Sequence, residues 1–176
     1  MHKFSFLFTA LLAIACCFAF TIPPAPAKLK WMTIREAREA MKQEKRPILI
    51  DLYTDWCGWC KVMDKKTYTN AKVIEYVQQH FYPVKINAET KEDITWNDKT
   101  YKFNPADRAN DFAIYLTHGQ LSFPTTVIIP VQGGEPQPVP GYLPPKDLQL
   151  IVTYFGEGKF GTQPFDAYQQ SFKSSW

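Results

Sequence analysis

The sequence predicts an α/β protein with a mixed central sheet covered by helices on both faces. Segments with the 3.6-residue spacing of amphipathic helices alternate with short apolar runs that lack this spacing. Their order is helix, strand, helix, strand, helix, strand, strand, helix, which is typical of one layered domain. The last two strands are joined across Gly133-Gly134, which supplies a hairpin turn.

The first elements of this domain are a helix and a strand. "MTIREAREAMKQEKRP" opens with a capping box formed by Thr33 and Glu36, and Pro47 marks the end of the helix. "PILIDLYTD" is a short β-rich run whose length favours a buried strand. Asp51 interrupts this run, and a carboxylate among apolar neighbours is costly to bury unless it has a partner or a function.

Two helices and a strand come next. One helix is expected from residue 60 to about residue 66, directly after the strand, and a second over 70–80. "FYPVKIN" predicts the next strand, and "DITWNDKTYKF" predicts a hairpin around Asn97 and Asp98.

The remaining elements complete the sheet and its cover. "NPADRANDFAIYLTHG" predicts a helix that ends at Gly119, because apolar residues recur in step along it: Ala109, Phe112, Ala113 and Leu116. "FPTTVIIPV" is a strand, "PQPVPGY" an edge strand because of its prolines, and "PKDLQLIVTYF" a helix. The tail after Phe155 predicts one more short helix packed on the body through its aromatic residues: Phe160, Phe165, Tyr168 and Phe172.

The first 27 residues differ in composition from the rest. A short cationic end precedes an apolar run up to Phe20, and Ala25-Pro26-Ala27 offers a cleavage site, so 1–27 predicts an export signal. The alternatives are an uncleaved anchor or a lipid on Cys16 or Cys17, although "LAIAC" has Ala where lipoprotein signals usually carry Leu. The expected organisation is therefore a signal at 1–27 and one domain at 28–176, of which 156–176 is a C-terminal extension.

Size and charge restrict the function. A chain of 176 residues suits one domain, and a net charge of +3 without a basic run gives no reason to expect nucleic acid as a partner. After removal of the signal, Cys57 and Cys60 are the only cysteines.

A bridge between residues three apart closes a very small loop and stabilises little, which argues against a structural staple. A closed zinc site needs four ligands, and His80 and His118 are isolated, so zinc is the weaker alternative and no metal is expected. A redox pair is favoured.

The position of the pair suits thiol chemistry. Cys57 is expected where a strand ends and a helix begins, and there free N–H groups and the helix dipole favour a thiolate. Cys60, one turn further, is expected to be more enclosed and to attack the mixed disulfide that Cys57 forms with a partner.

These residues and this architecture together resemble the thioredoxin superfamily over residues 46–155. "ILIDLYTDWCGWCK" matches the family's strand and motif, "VKIN" its lysine-bearing strand, "FPTTVII" its cis-proline segment, and "GYLPPKDL" the glycine before its last helix. "DLYTDWC" with "NAKVIEYVQQHF" looks most like the exported thioredoxin-like group. That group includes the periplasmic domain of the transmembrane thiol:disulfide interchange reductase.

The resemblance implies roles for particular residues. Asp51 would take the proton from Cys60, and Lys85 would tune this acid; the alternative is a simple buried ion pair. Pro124, in the cis form, would leave the Phe123 backbone free to pair with an extended substrate; the alternative is an ordinary strand-starting proline. The residues expected to line the substrate site beside these two are Trp56, Gly58 and Trp59; for Trp56 the alternative is packing around the site without substrate contact.

One region departs from the family pattern. An insertion between residues 88 and 120, with an additional hairpin or loop, is expected to border the active-site face, as surface decoration or as a device for selecting partners. His118 is expected to make a local hydrogen bond at a helix end and to have no catalytic function.

The function predicted from these residues is that of an exported, periplasmic thiol:disulfide oxidoreductase. It is expected to be a monomer without a cofactor beyond its own disulfide, to reduce disulfides of periplasmic client proteins, and to receive electrons from a membrane thiol reductase. Trp59 replaces the proline or histidine that other members carry between the cysteines, and the lack of a histidine to stabilise the thiolate favours a reductase. The alternatives are a disulfide oxidase or isomerase, and a non-catalytic binding module.

Overall fold

The structure, a computed structural model, describes residues 28–131 and 134–176. The helices are α1 (Ile34–Gln43), α2 (Gly58–Lys66), α3 (Ala71–His80), α4 (Asp111–Leu116), α5 (Pro145–Gly156) and α6 (Phe165–Ser171). The strands are β1 (Ile48–Tyr53), β2 (Tyr82–Asn87), β3 (Ile94–Trp96), β4 (Lys99–Tyr101), β5 (Phe103–Asn104), β6 (Ala109–Asn110), β7 (Thr125–Ile129) and β8 (Gln137–Pro140).

The main sheet is mixed, as the sequence predicts, with the strand order β2-β1-β7-β8. β1 pairs with β2 in parallel and with β7 antiparallel, and β8, which carries two prolines, lies at an edge. The turn predicted at Gly133-Gly134 falls in part on residues 132–133, which lie outside the described residues. Its consequence, an antiparallel β7–β8 pair, is confirmed.

Alternation along β1 divides the core into two layers. Ile48, Ile50 and Leu52 pack on one face of the sheet with residues of α1 and α4, while Leu49 packs on the other face with α2, α3 and α5. All four side chains are fully buried. Asp51 shares the face of Leu49 by the same alternation, which places its carboxylate on the α2 side of the sheet.

The α1 prediction is confirmed in detail. Thr33 is the N-cap residue, its side chain accepts from the Glu36 backbone N–H, and the Glu36 carboxylate accepts from the Thr33 N–H. The hairpin predicted around Asn97 and Asp98 is also present as β3–β4, and both turn residues have positive φ, 48° and 60°.

The helix predicted over residues 104–119 is wrong in its first half. β5 and β6 form a second small hairpin there, Ala109 lies in a strand, and α4 begins only at Asp111. The side chain of Asn110 accepts a hydrogen bond from the Phe112 N–H and thereby caps α4. Arg108 has a φ of 54°, outside the helical region, so the chain cannot continue as a helix through it.

The insertion and the tail both contribute to the packing. Trp96 and Tyr101 of the β3–β4 hairpin are buried in the core layer that contains Phe112. In the tail, the Tyr168 hydroxyl donates to Thr153 of α5 at 2.8 Å. The predicted export signal, with Cys16 and Cys17, lies outside the described residues. None of the helices within 28–131 and 134–176 combines the length and the apolar character that spanning a membrane requires.

Candidate active site

The two cysteines lie at the start of α2, directly after the carboxyl end of the central strand β1. Cys57 is the N-cap residue of α2, and its sulfur accepts a hydrogen bond from the Cys60 N–H at 3.0 Å. The sulfurs form a disulfide with a Cα–Cα distance of 5.3 Å. The sulfur of Cys57 thus occupies the place where an N-cap side chain meets unpaired N–H groups, and this environment stabilises a thiolate.

The expected difference in exposure between the two cysteines is absent in the disulfide form. Cys57 and Cys60 are each 3% exposed, so the prediction that Cys60 is the more enclosed of the two is wrong for this form. Both residues lie at the start of α2 with their sulfurs bonded to each other, and both are buried to the same degree. A partner therefore meets mainly the residues around the disulfide.

Two tryptophans dominate that surrounding surface. Trp56 is 67% exposed and Trp59 is 61% exposed, and they are the exposed large hydrophobic residues of the described part of the chain. Trp56 meets Phe123 edge to face at 5.9 Å between ring centroids, and Trp59 stacks on Tyr142 at 5.5 Å. Gly58, predicted to line the substrate site, is exposed between them, and a Cβ at this position would meet nothing within 4 Å.

The proline opposite the motif is cis. The Phe123-Pro124 peptide bond is cis, and Pro124 lines a shallow cavity of about 400 Å³ together with Trp59. Leu52 of β1 pairs with Thr125 of β7, which sets Pro124 beside the carboxyl end of β1. The Phe123 N–H and C=O have no hydrogen-bond partner within the described residues, so this backbone is free to pair with a bound peptide.

Asp51 and Lys85 are joined by the register of the sheet. They are direct partners in the parallel β1–β2 pair, and Lys85 Nζ lies 2.5 Å from Asp51 Oδ2. Asp51 is 2% exposed. Burial raises the pKa of Asp51, and the nearby Lys85 ammonium offsets only part of this effect. A carboxylate with a raised pKa is suited to accept a proton from a thiol.

A second carboxylate, absent from the residues predicted for the site, completes this cluster. Lys85 Nζ also donates to Asp64 Oδ1 at 2.6 Å, and Asp64 lies on α2. Burial alone would lower the pKa of Lys85, but the two carboxylates more than compensate and raise it, so the ammonium stays charged. A signal was available, because Cys60 and Asp64 are four residues apart and therefore share one face of the helix.

Some buried polar atoms beside Asp51 have no hydrogen-bond partner within the described residues. They are Asp51 Oδ1 and the hydroxyl oxygens of Tyr68 and Thr126. Thr126 is the β7 partner of Asp51, and Tyr68 packs in the core layer of Leu49, so these atoms lie on the same face of the sheet. Burial is the main cause of the raised pKa of Asp51, and the stabilisation that Lys85 and the nearby Tyr68 hydroxyl offer the carboxylate is too small to reverse it.

Two further predictions concern histidine and metal. His118 Nε2 is 2.9 Å from the Pro136 carbonyl oxygen, 18 residues away, so its contact is not the local one expected. Within the described residues, no group of three or more potential ligands from histidine, cysteine and acidic residues could hold a metal ion.

Comparison with known proteins identifies relatives of this chain. Residues 34–156 match the family model described as a thioredoxin-like domain. The chain is 30% identical over 98 residues to the disulfide bond reductase DsbH of Chlamydia pneumoniae, covering 49% of this chain and 59% of that protein. It is also 30% identical over 102 residues to the thiol:disulfide interchange protein DsbD of Ralstonia nicotianae, covering 58% of this chain and 14% of that protein.

The fold also matches solved structures. A structure described as DsbH oxidoreductase aligns with a TM-score of 0.56 at 20% identity, over 78% of this chain and 91% of that one. At this identity the likeness concerns the fold. The matched part of this chain covers less than two thirds of the length of these curated relatives.

Proposed function

The chain belongs to the thioredoxin-like domain family, and from this premise we propose that it is a thiol:disulfide oxidoreductase with Cys57 and Cys60 as its redox centre. One observation carries the proposal: Cys57 caps α2 with its sulfur bonded to Cys60, while a buried carboxylate with a raised pKa lies on the α2 side of the same sheet. A structural staple would need neither the capping position nor the buried acid.

The reaction transfers two electrons from the dithiol to a disulfide. In the reduced protein, the Cys57 thiolate attacks one sulfur of a client disulfide, which forms a mixed disulfide and releases the other client sulfur as a thiolate. Asp51 then takes the proton of the Cys60 thiol, and the Cys60 sulfur attacks Cys57. This second attack forms the Cys57–Cys60 disulfide and releases the second client thiolate. A dithiol of the electron donor restores the reduced protein.

We propose the reductive direction, with disulfide-bearing periplasmic proteins as clients and a membrane thiol reductase as donor. The relative from Chlamydia pneumoniae is named a disulfide bond reductase, and the first cysteine here lacks a histidine neighbour that would stabilise its thiolate. The measurement is the equilibrium of the dithiol with glutathione. A strongly oxidising reduction potential of the Cys57–Cys60 pair would reject the reductase proposal in favour of a disulfide oxidase or isomerase.

Trapping tests the chemistry. Cys60→Ala removes the resolving sulfur, so it is expected to accumulate mixed disulfides with clients through Cys57, while the matched variant Cys57→Ala accumulates none. Insulin disulfide reduction by the unmodified protein provides an independent assay. A protein that reduces no insulin and traps no client in either variant would be a binding module on this fold.

Export is part of the proposal. We propose that residues 1–27 direct the chain to the periplasm and are removed, and that the mature protein is a monomer. Mass spectrometry of the protein recovered from cells separates the alternatives: a mass that begins at Lys28 supports cleavage, the full mass indicates a retained anchor, and an added lipid mass indicates modification at Cys16 or Cys17.

A further inference from the structure

The insertion is connected directly to the segment that precedes Cys57. The indole N–H of Trp56 donates to Glu89 Oε1 at 3.0 Å, and Asn87 Nδ2 donates to Asp55 Oδ2 at 3.0 Å. The Ala88 N–H also donates to the carbonyl oxygen at the end of β1, at 2.8 Å. The end of β2 and the first two insertion residues thus hold the segment that precedes Cys57 through three hydrogen bonds.

Trp56 is fixed although it is exposed. Its polar edge is bound by Glu89 of the insertion, and its ring meets Phe123, the residue before the cis-proline. An exposed tryptophan normally loses rotamer freedom when a partner binds, and an indole that is already held pays less of this cost. Such preorganised aromatic side chains are typical anchors of binding surfaces.

A groove of about 450 Å³ lies between this tryptophan and the insertion. We call it the insertion groove and define it by its apolar walls, Trp56, Leu121 and Phe123, and its polar rim, Glu89, Asp107 and Arg108. Phe123 also lines the cavity that holds Trp59 and Pro124, so the two cavities share this ring. The insertion groove thus continues the surface around the disulfide on the Trp56 side.

The rim of the groove carries an excess of negative charge. Two carboxylates face one guanidinium, whereas the whole chain has a net charge of +3. Glu89 binds the indole N–H and Asp107 accepts from the Asn104 amide at 2.8 Å, both uncharged donors. In the described part of the chain, no salt bridge pairs either carboxylate with a cation. Their charge is available to a bound ligand.

We propose that the insertion groove binds the extended client segment next to the cysteine under attack, and that it selects an apolar side chain followed by a basic one. The apolar side chain lies between Trp56, Leu121 and Phe123, and the basic one meets Glu89 and Asp107. Glu89 has two separable functions, since its oxygen positions Trp56 and its charge attracts the basic side chain. This inference rests on the proposed function, because the disulfide places the client beside the groove.

Peptide substrates test the selection. Each probe is a nine-residue peptide with one cysteine in mixed disulfide with glutathione: one with leucine and lysine near the cysteine, one with glutamate for lysine, and one with serine for leucine. Glutathione disulfide is the small reference substrate. We expect kcat/KM, divided by its value for the reference, to be about tenfold higher for the leucine and lysine peptide than for either other peptide, mainly through KM.

Variants separate the two functions of Glu89. Glu89→Gln keeps an oxygen for the indole N–H but removes the charge, so it is expected to lose the preference for lysine and retain that for leucine. Glu89→Ala is expected to lose both preferences. Glu92→Ala removes a carboxylate of the same insertion outside the groove, so it is the matched control and keeps both. The proposal is overturned if the unmodified protein has the same relative kcat/KM for all three peptides. It is also overturned if Glu89→Gln and Glu89→Ala lose the same preferences.

A binding experiment distinguishes failure of the groove from failure of the redox function. Peptides with serine in place of cysteine are titrated into the oxidised protein, and tryptophan fluorescence reports binding. Preferential binding of the leucine and lysine peptide supports the groove even if the protein reduces no disulfide. Equal or absent binding of all three peptides, in a protein that does reduce glutathione disulfide, overturns the groove and leaves the redox function standing.

Discussion

Replacement of Asp51 by asparagine is expected to make the oxidised protein more stable at neutral pH. Asp51 is 2% exposed, and burial raises its pKa even though Lys85 lies 2.5 Å away. The ionised carboxylate is therefore less favourable in the folded chain than in the unfolded chain. Asparagine has nearly the same shape and no charge, and Lys85 keeps Asp64 as its partner at 2.6 Å.

The expected magnitude follows from two opposing energies. The attraction between Lys85 and Asp51 at this distance is roughly 4–7 kcal/mol at an effective dielectric constant of about 20. Removing the carboxylate from water costs several kcal/mol, and the raised pKa shows that this cost is the larger of the two at Asp51. Removal of one partner of a buried ion pair usually costs about 3–5 kcal/mol because the other charge is left unpaired, but Lys85 keeps Asp64 as a partner here. We therefore expect a gain of about 1–3 kcal/mol in the free energy of unfolding. In a protein of this size that corresponds to a rise in Tm of roughly 2–12 °C.

The pH dependence has a definite sign. Because the folded-state pKa of Asp51 is raised, the folded protein binds this proton more tightly than the unfolded chain does. The contribution of Asp51 to stability is therefore present below its unfolded-state pKa and is lost as the pH rises through its folded-state pKa. Asp51→Asn should remove this loss, so the variant gains more over the parent protein at neutral than at acidic pH.

Urea denaturation of the oxidised protein at a series of pH values measures both effects. The matched control is Asp64→Asn, which removes the other carboxylate bound to Lys85; its side chain is 43% exposed. Since Lys85 loses a partner there, we expect a decrease of less than about 1 kcal/mol. The reasoning is refuted if Asp51→Asn is less stable than the parent at neutral pH, or if its advantage is independent of pH.

Other predictions follow from the same contacts. Asp51→Asn should slow the release of client from the mixed disulfide by about 100-fold, seen as accumulated mixed disulfide in quenched reactions; an unchanged rate would mean that Asp51 takes no proton. Asp64→Asn removes a negative charge that raises the pKa of Asp51, so the acidic limb of the pH profile for client release should move to lower pH. A shift to higher pH would contradict the assignment of Asp64 to the same charge cluster as Asp51. Thr33→Ala breaks the capping box and should cost about 1 kcal/mol in urea denaturation, whereas Thr33→Ser should cost little. Gln149, buried on α5, binds the C-terminal tail through three hydrogen bonds. Gln149→Ala should therefore lower the free energy of unfolding by about 1–3 kcal/mol and expose the tail to carboxypeptidase. A fully protected tail would show that other contacts hold it.

The elements that the sequence predicts well are those with local signals. The capping box at Thr33 and Glu36 and the β3–β4 turn at Asn97 and Asp98 depend on residues within a few positions of each other, and both are present. The apolar run around Asp51 predicts a buried strand because few other structures can bury every side chain of such a run.

The elements that the sequence predicts poorly depend on tertiary structure. Ala109 fits the helical period of α4, but the chain before Asn110 turns back on itself and Arg108 takes a left-handed conformation, so periodicity alone overextended the helix. The four-residue spacing places Asp64 on the helix face of Cys60, but its bond to Lys85, 21 residues away in sequence, depends on the tertiary structure. The equal exposure of the cysteines in the disulfide form is likewise a property of the folded chain.

The charge balance of the site suggests why Lys85 is shared between two carboxylates. With Asp51 ionised, the cluster of Asp51, Lys85 and Asp64 carries one net negative charge, and with Asp51 protonated it is neutral. A Cys60 thiolate beside an ionised Asp51 would put two excess negative charges in a poorly solvated place, which is costly. Transfer of the Cys60 proton to Asp51 avoids this state, because Asp51 becomes neutral as the Cys60 thiolate forms. When the Cys60 sulfur attacks Cys57, the negative charge leaves the site on the client thiolate. Asp64, on the solvent side of Lys85, keeps the ammonium charged throughout, so the lysine cannot take the proton in place of Asp51.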